Sequence, residues 1–258
     1  MSQPCTHRAA GALCESCAVR SLSVCAALAP EELCALERIA QAQHFAARDT
    51  LFREGEPAGA VFNVTAGAVR LSKVLADGRR QILGFALPGD FLGLAEVAVW
   101  PFSAEALGPV TACRFAREAH HGLVEAKPHL LRRLHEYATH ELTMAQEQIV
   151  LLGRRTAAER LAAFLLTMRR RWAQMNGSAS VTVPLPMGRQ DIADYLGLTI
   201  ETVSRMFQKL VRARLIVIVP DGVRLLDVGA LGGVAEGAPA QAATRSSGVS
   251  LAGHGRGA

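Results

Sequence analysis

Arg189-Gln190-Asp191-Ile192-Ala193-Asp194-Tyr195-Leu196-Gly197-Leu198-Thr199-Ile200-Glu201-Thr202-Val203-Ser204-Arg205 is the stretch that organises this 258-residue chain. Its first half predicts a short helix with Ile192, Ala193 and Leu196 turned inward. Gly197 permits a tight turn. Thr199 suits the N-cap of a second helix, with Glu201 in its first turn. Val203, Met206, Phe207 and Leu210 give that helix a buried face. A hairpin follows, Leu215 to Val219 and Val223 to Leu226, around Pro220-Asp221-Gly222. Two short helices about a glycine turn, then a hairpin, make a winged helix-turn-helix.

In such a motif the start of the second helix enters the major groove of double-stranded DNA. Ile200, Glu201, Ser204 and Arg205 face outward there. Arg205 can fork onto guanine O6 and N7, Glu201 can accept from cytosine N4, and Ser204 can bond a base edge or a phosphate. Arg189, Lys209 and Arg212 suit phosphate contacts that fix register. The plainer reading of Glu201 and Arg205, four residues apart, is a surface ion pair. Charge points the same way as the motif. Residues 151–215 hold eleven Lys/Arg against four acids, a balance of +7, while the rest of the chain carries −2.

N-terminal to the motif, residues 156–172 predict a helix with Leu161, Phe164, Leu165 and Met168 as its apolar stripe. It is broken at Asn176-Gly177-Ser178 and followed by a β-run, Val181 to Leu185. From Pro128 onward, Leu131, Ala138, Leu142, Ala145, Ile149 and Leu152 recur at a/d-type spacing along a long helix, with His135 in the slot after Leu131. This seam fits a partner helix and hence a homodimer. The alternative is a helix packed on its own domain. Glu147, beside the seam, would set like charges across a two-fold axis and keep the dimer weak and adjustable.

Residues 44–116 read as short apolar runs between turn signals such as Ala66-Gly67-Ala68, Asp77-Gly78 and Pro88-Gly89-Asp90. That pattern predicts an all-β sandwich or barrel. Pro30 to Ile39 reads as a helix with acids in its first turn. The fold class expected is α+β. A cysteine segment (1–28) precedes a β-roll sensor domain (29–127), a dimerisation helix (128–155) and the winged helix-turn-helix (156–228). A Gly-, Ala- and Ser-rich tail (229–258) is expected to be disordered.

Cys14, Cys17 and Cys25 fall within twelve residues, and Cys113 is the one cysteine beyond residue 34. The chain shows neither a signal-peptide pattern nor an apolar run of about 20 residues, so a cytoplasmic location is expected. There, clustered thiols point to metal or redox chemistry rather than disulfides. Structural zinc favours two close ligand pairs, of which one is present. Redox-sensing thiols are the other reading. Cys34, inside a predicted helix, reads as a packing residue, and Cys5 lies in a polar segment. With no dinucleotide loop and no nucleophile–base arrangement, no catalytic residues are assigned and an enzyme is not expected.

The order of β-domain, seam helix and winged motif resembles the Crp–Fnr superfamily of transcription regulators over residues 14–228. So do Gly89-Asp90-Phe91-Leu92-Gly93, Ala158-Glu159-Arg160-Leu161-Ala162-Ala163-Phe164 and Thr199 to Arg205. The pattern of Glu201, Ser204 and Arg205 resembles the Fnr branch. That resemblance implies binding to an inverted repeat with TTGAT half-sites and contact with RNA polymerase through exposed β-domain loops, with Gln81 to Leu87 a candidate. It also implies a [4Fe-4S] cluster on Cys14, Cys17, Cys25 and Cys113, shielded by Leu22, Val24 and Leu28. The cluster would hold the dimer together at low oxygen and convert toward a [2Fe-2S] form in air, loosening the seam. The family often carries a charge near the position of Ala145, where this chain has alanine. Its cyclic-nucleotide members hold the ligand phosphate with an Arg-Ser pair. Here Phe102 precedes Ser103 where the arginine would stand, so no cyclic nucleotide is expected.

Overall fold

The computed structural model describes residues 14, 16–95, 97–178 and 180–239. Turn residues divide its N-terminal half into antiparallel strands: β1 (Ala40–Phe45), β2 (Thr50–Phe52), β3 (Ala60–Ala66), β4 (Val69–Val74), β5 (Arg80–Ala86), β6 (Phe91–Leu92), β7 (Ser103–Ala106) and β8 (Val110–Ala116). They form two four-stranded sheets, ordered β1-β8-β3-β6 and β2-β7-β4-β5. Phe52, Phe62, Val64, Val69, Trp100 and Val110 fill the core of this roll. Phe52 stacks on Trp100 with ring centroids 3.7 Å apart. Phe102 packs half-buried against the same core, 5.8 Å from the Phe52 ring.

The apolar runs mark β3, β4, β5 and β8 well. The polar strand β1 has no such signature, because pairing along β8 and not apolar alternation holds it in place. Gln81 to Leu87, expected as an exposed loop, is largely β5 instead. Ile82, Phe85, Ala86 and Leu87 are buried; Ile82 and Phe85 face the C-terminal domain, and Ala86 faces the roll's own core.

Helix α1 (Pro30–Ile39) has the expected limits, and α2 (Arg117–Glu125) leads from the roll to α3 (Pro128–Arg154). The 27 residues of α3 run about 40 Å. Glu32 accepts from the Lys127 Nζ at 2.6 Å and lies 2.9 Å from His129 Nε2, tying α1 to the base of α3. Helix α4 (Ala157–Asn176) begins at a capping box in which Thr156 and Glu159 satisfy each other's backbone N–H groups. It buries the expected stripe of Leu161, Phe164, Leu165 and Met168. Next come β9 (Thr182–Pro184), α5 (Arg189–Leu196), α6 (Ile200–Arg212), β10 (Ile216–Val219) and β11 (Gly222–Leu225), the strands forming a sheet ordered β10-β11-β9. Gly197 takes the left-handed conformation, φ 62°, that ends α5.

The tail expected to be disordered from residue 229 instead begins with α7 (Val228–Ala235). Asp227 caps it, accepting from the Ala230 N–H at 2.8 Å, and Leu231 is fully buried in the core that includes α4. Three glycines in eight residues hide this helix from propensity. Tertiary burial of Leu231, Val234 and Ala235 overrides that cost. Residues 1–13 with Cys5, and the tail beyond residue 239, lie outside the described residues.

Candidate cysteine centre and nucleic-acid interface

The structure brings Cys14, Cys17, Cys25 and Cys113 to one small cavity, whose other lining residues are Arg20, Leu36, Asn63 and Phe115. Three elements converge there. The N-terminal loop runs through a 3-10 turn, Val24–Ala27, capped by the Ser23 hydroxyl, which accepts from the Cys25 N–H at 3.2 Å. Cys113 comes from β8, directly opposite Asn63 of β3. Gly89, at φ +99°, lets the turn before β6 close on Leu22, where a β-carbon would approach within 3.0 Å. Val24 and Leu28 are buried in the same cluster as Cys14, Cys25 and Cys113, whereas Leu22 is half-buried. Cys34 lies in α1 and does not line the cavity.

Burial, then repulsion by Cys25, pushes the Cys14 thiol up to about 12. Burial likewise pushes Cys113 up to about 11 and raises Cys25. These thiols therefore keep their protons unless a cation replaces them. Among the described residues, no three His, Cys, Asp or Glu side chains converge on a point suited to a single ion. All four cysteines line the one small cavity.

The cavity shares its core with the long helix. Leu130 of α3 is buried among Val24, Leu28, Leu33 and Phe115, and Leu134 and Tyr137 pack alongside. The Phe91 N–H donates to the Tyr137 hydroxyl at 2.9 Å, and Phe91 stacks on Phe115, two residues from Cys113. The other face of α3 is bare. Leu131, Leu142 and Ile149 are 56%, 59% and 70% exposed, and Ala138 and Ala145 are exposed between them. Leu152 alone of the seam is half-buried, beside Gly197.

At the other end of the molecule, Ile200, Glu201, Ser204 and Arg205 stand exposed on the first turns of α6, and Lys209 and Arg212 are exposed farther along. Thr199 caps the helix, accepting from the Thr202 N–H at 3.2 Å. Glu201's own backbone N–H and the Thr199 hydroxyl hold its carboxyl below the usual range. Arg205 donates to Thr202 Oγ1 at 3.1 Å rather than to Glu201, leaving both heads on the outer surface. Arg189 is placed differently. Its guanidinium lies 3.2 Å from the centre of the Phe207 ring, half-buried, so a phosphate contact would require it to leave that stack.

Nor is the whole basic block turned to solvent. Arg160 donates to the carbonyls of Leu152, Arg155 and Leu196 at 2.7–2.8 Å, joining the end of α3 to α4 and α5. Arg171 bonds the Phe85 carbonyl and pairs with Asp90, and Arg155 donates to the Ala235 carbonyl. The acids of α5 are also engaged. Arg70 bridges Glu105 at 2.7 Å and Asp191 at 2.9 Å, while Arg80 bridges Asp191 at 2.9 Å and Asp194 at 2.7 Å. With Phe85 against Phe164 and Tyr195, this network seats the first helix of the DNA-binding motif on the sensor domain. Charge counting along the sequence missed these partners. Asp191 and Asp194, two of the four acids inside the basic stretch, were the available signal.

Residues 159–233 match the Crp-like helix-turn-helix domain, and residues 42–127 match the cyclic nucleotide-binding domain. The transcriptional activatory protein AadR of Rhodopseudomonas palustris is 53% identical over 218 residues, 84% of this chain and 91% of that one. The chain belongs to the Crp–Fnr family of transcription regulators. This Crp–Fnr regulator is also 51% identical, over 84% of its length and 91% of the relative's, to the nitrogen fixation regulation protein FixK of Bradyrhizobium diazoefficiens. The solved structure of FixK2 from Bradyrhizobium japonicum aligns with a TM-score of 0.71 and 36% identity, over 76% of this chain and 97% of that one. AadR is named as a transcriptional activatory protein and FixK as a regulation protein, and neither as an enzyme. No helix among the described residues is long and apolar enough to cross a membrane.

Proposed function

We propose that this regulator is a cytoplasmic, oxygen-responsive transcription activator in which Cys14, Cys17, Cys25 and Cys113 hold a [4Fe-4S] cluster. The observation that carries the reading is that Cys14, Cys17, Cys25 and Cys113 line one cavity, three of them buried, in a core shared with the base of the long helix. A single zinc ion needs its donors within about 2.0–2.3 Å of one point. Four cysteines lining one cavity suit a larger group with several anchoring atoms. When bound, that group supplies an oxygen-labile iron centre.

The chain's own residues supply the rest. Cys14, Cys25 and Cys113 would give up their protons as the site is filled, so filling is favoured at higher pH. A filled site fixes the loop of Val24 and Leu28 against Leu130, Leu134 and Tyr137. That sets the rotation of α3 and presents Leu131, Ala138, Leu142, Ala145 and Ile149 to a second copy. The alanines keep the seam modest, which a switch requires, because a ligand shifts an equilibrium only by its differential affinity for the two states. The paired α6 helices then read an inverted repeat with TTGAT-type half-sites through Glu201, Ser204 and Arg205, and the bound dimer recruits RNA polymerase. A cyclic nucleotide has no place in this scheme, since Phe102 packs on Phe52 where a phosphate would need a cation.

Control without a cluster, by thiol oxidation or by expression level, is the competing reading. The raised thiols disfavour thiol oxidation, because the thiolate is the reactive form. Protein purified without oxygen should contain about four irons and four sulfides per chain and show a broad visible absorption that fades in air. Iron-free anaerobic protein with full DNA affinity would refute the cluster. Unchanged DNA binding in Cys14→Ser and Cys113→Ser variants would refute any role for these thiols.

A further inference from the structure

Packing alone does not account for Asn63. It lies in the middle of β3, opposite Cys113, between the buried apolar residues Phe62 and Val64, and it is 1% exposed. A buried amide costs roughly 1–3 kcal/mol for each polar end left unpaired. Asn63 Oδ1 has no hydrogen-bond partner among the described residues. Its Nδ2 points into the cysteine cavity, 3.9 Å from Cys25 Sγ. A neutral thiol is a weak acceptor and offers little in return. A metal-bound thiolate is an anion, and a hydrogen bond to it is charge-assisted. The amide's placement is therefore poor for the empty protein and favourable for the filled one.

We propose that Asn63 is a positioning residue of the cysteine centre, its amide N–H donating to the metal-bound Cys25 thiolate. The role rests on the cluster reading given above. It has two consequences. The bond aims Cys25, the ligand at the far end of the wide C-x2-C-x7-C loop, so the loop closes on the site with less lost freedom. It also draws electron density from one ligating sulfur, and hydrogen bonds to sulfur are among the features that set the potential of an iron–sulfur centre. An apolar residue would pack at this position without leaving an orphaned oxygen, but it would supply neither effect.

The test compares full-length wild type with Asn63→Leu, of similar volume and without a donor. Each is loaded anaerobically with ferrous iron and sulfide. Iron retention against a chelator, the reduction potential, and the melting temperature with and without iron are measured. The expected result is opposite signs. The metal-free variant melts at or above the wild-type temperature, because the orphaned amide is gone, while the loaded variant melts lower. Its iron retention falls roughly 10–100-fold, the usual loss on removing such a partner, and its potential shifts down. Asn63→Ala gives the same comparison should the leucine variant not fold. Equal iron retention and potential in variant and wild type would overturn the role of Asn63 and leave the cluster reading standing. So would equal destabilisation with and without iron, which marks a structural residue. A wild type that takes up no iron and sulfide overturns both.

Discussion

The backbone N–H of Phe91 donates to the hydroxyl of Tyr137 at 2.9 Å, and this bond joins the cysteine cavity to the long helix. Phe91 opens β6 and stacks on Phe115, while Tyr137 sits on the inner face of α3, one residue from the seam position Ala138. A shift in the cavity wall therefore reaches the helix through a directional contact as well as through packing. Replacing Tyr137 with Phe leaves a buried N–H unpaired and should cost about 1–3 kcal/mol in urea unfolding. The same variant should weaken the dependence of DNA affinity on iron loading. Unchanged stability and unchanged iron dependence would show that this bond transmits nothing.

Ile149 and Leu142 are the most exposed large apolar residues of the seam. Glutamate at either position should leave the monomer's stability within about 0.5 kcal/mol, as expected of an exposed site. It should abolish dimerisation and operator binding together. Sedimentation with a gel-shift titration reads both, and a dimeric Ile149→Glu protein would place the interface elsewhere.

Arg205→Ala should cost roughly 1–3 kcal/mol on the cognate site and relax preference at one base position. Lys209→Ala should instead weaken all sequences alike and reduce the salt slope by about one. Affinities measured on the cognate site and on single-base variants at two salt concentrations separate the two roles.

Arg80 and Asp194 form the outer arm of the clasp between β5 and α5, with side chains 29% and 13% exposed. A double-mutant cycle of Arg80→Ala and Asp194→Ala should give a coupling of about 0.5–3 kcal/mol. A coupling near zero would mean that the docked arrangement is held by the Arg70–Asp191 bridge and by Phe85, Phe164 and Tyr195 without this pair.

His120 is buried beside Phe91 and Phe115, and burial, with Arg117 next, pulls its pKa down from 6.5 to about 4. The neutral ring is thus the folded form, while the unfolded chain takes up a proton near pH 6.5. Stability is full above that pH and falls as pH drops from about 6.5 to about 4, by up to roughly 3 kcal/mol. Denaturant titrations across this window should show the loss in the wild type. They should show a flatter profile in His120→Phe.

Much of the architecture is written locally. The caps at Thr156 and Thr199, the glycine that ends α5, and the apolar stripe of α4 are short-range signals read within one or two turns of chain. The exposed seam of α3 and the outward heads of α6 follow from helical period alone. The strand β1 and the helix α7 were not legible, because long-range pairing with β8 and burial against α4 stabilise them against their composition.

The sequence by itself determined the winged motif, the seam and the three crowded cysteines, since each is a pattern of neighbours along the chain. Only the tertiary structure decided what meets across distance. It set Cys113 beside the N-terminal thiols, aimed Asn63 at Cys25, and took Asp191, Asp194, Arg160 and Arg171 out of the DNA-facing charge and into the joints between domains. The physical reason is that hydrogen bonds, ion pairs and cavity walls act over a few ångströms of space. Residues 36 to 111 apart in the chain are brought that close only by the closing of the sheets and the docking of α5 on β5.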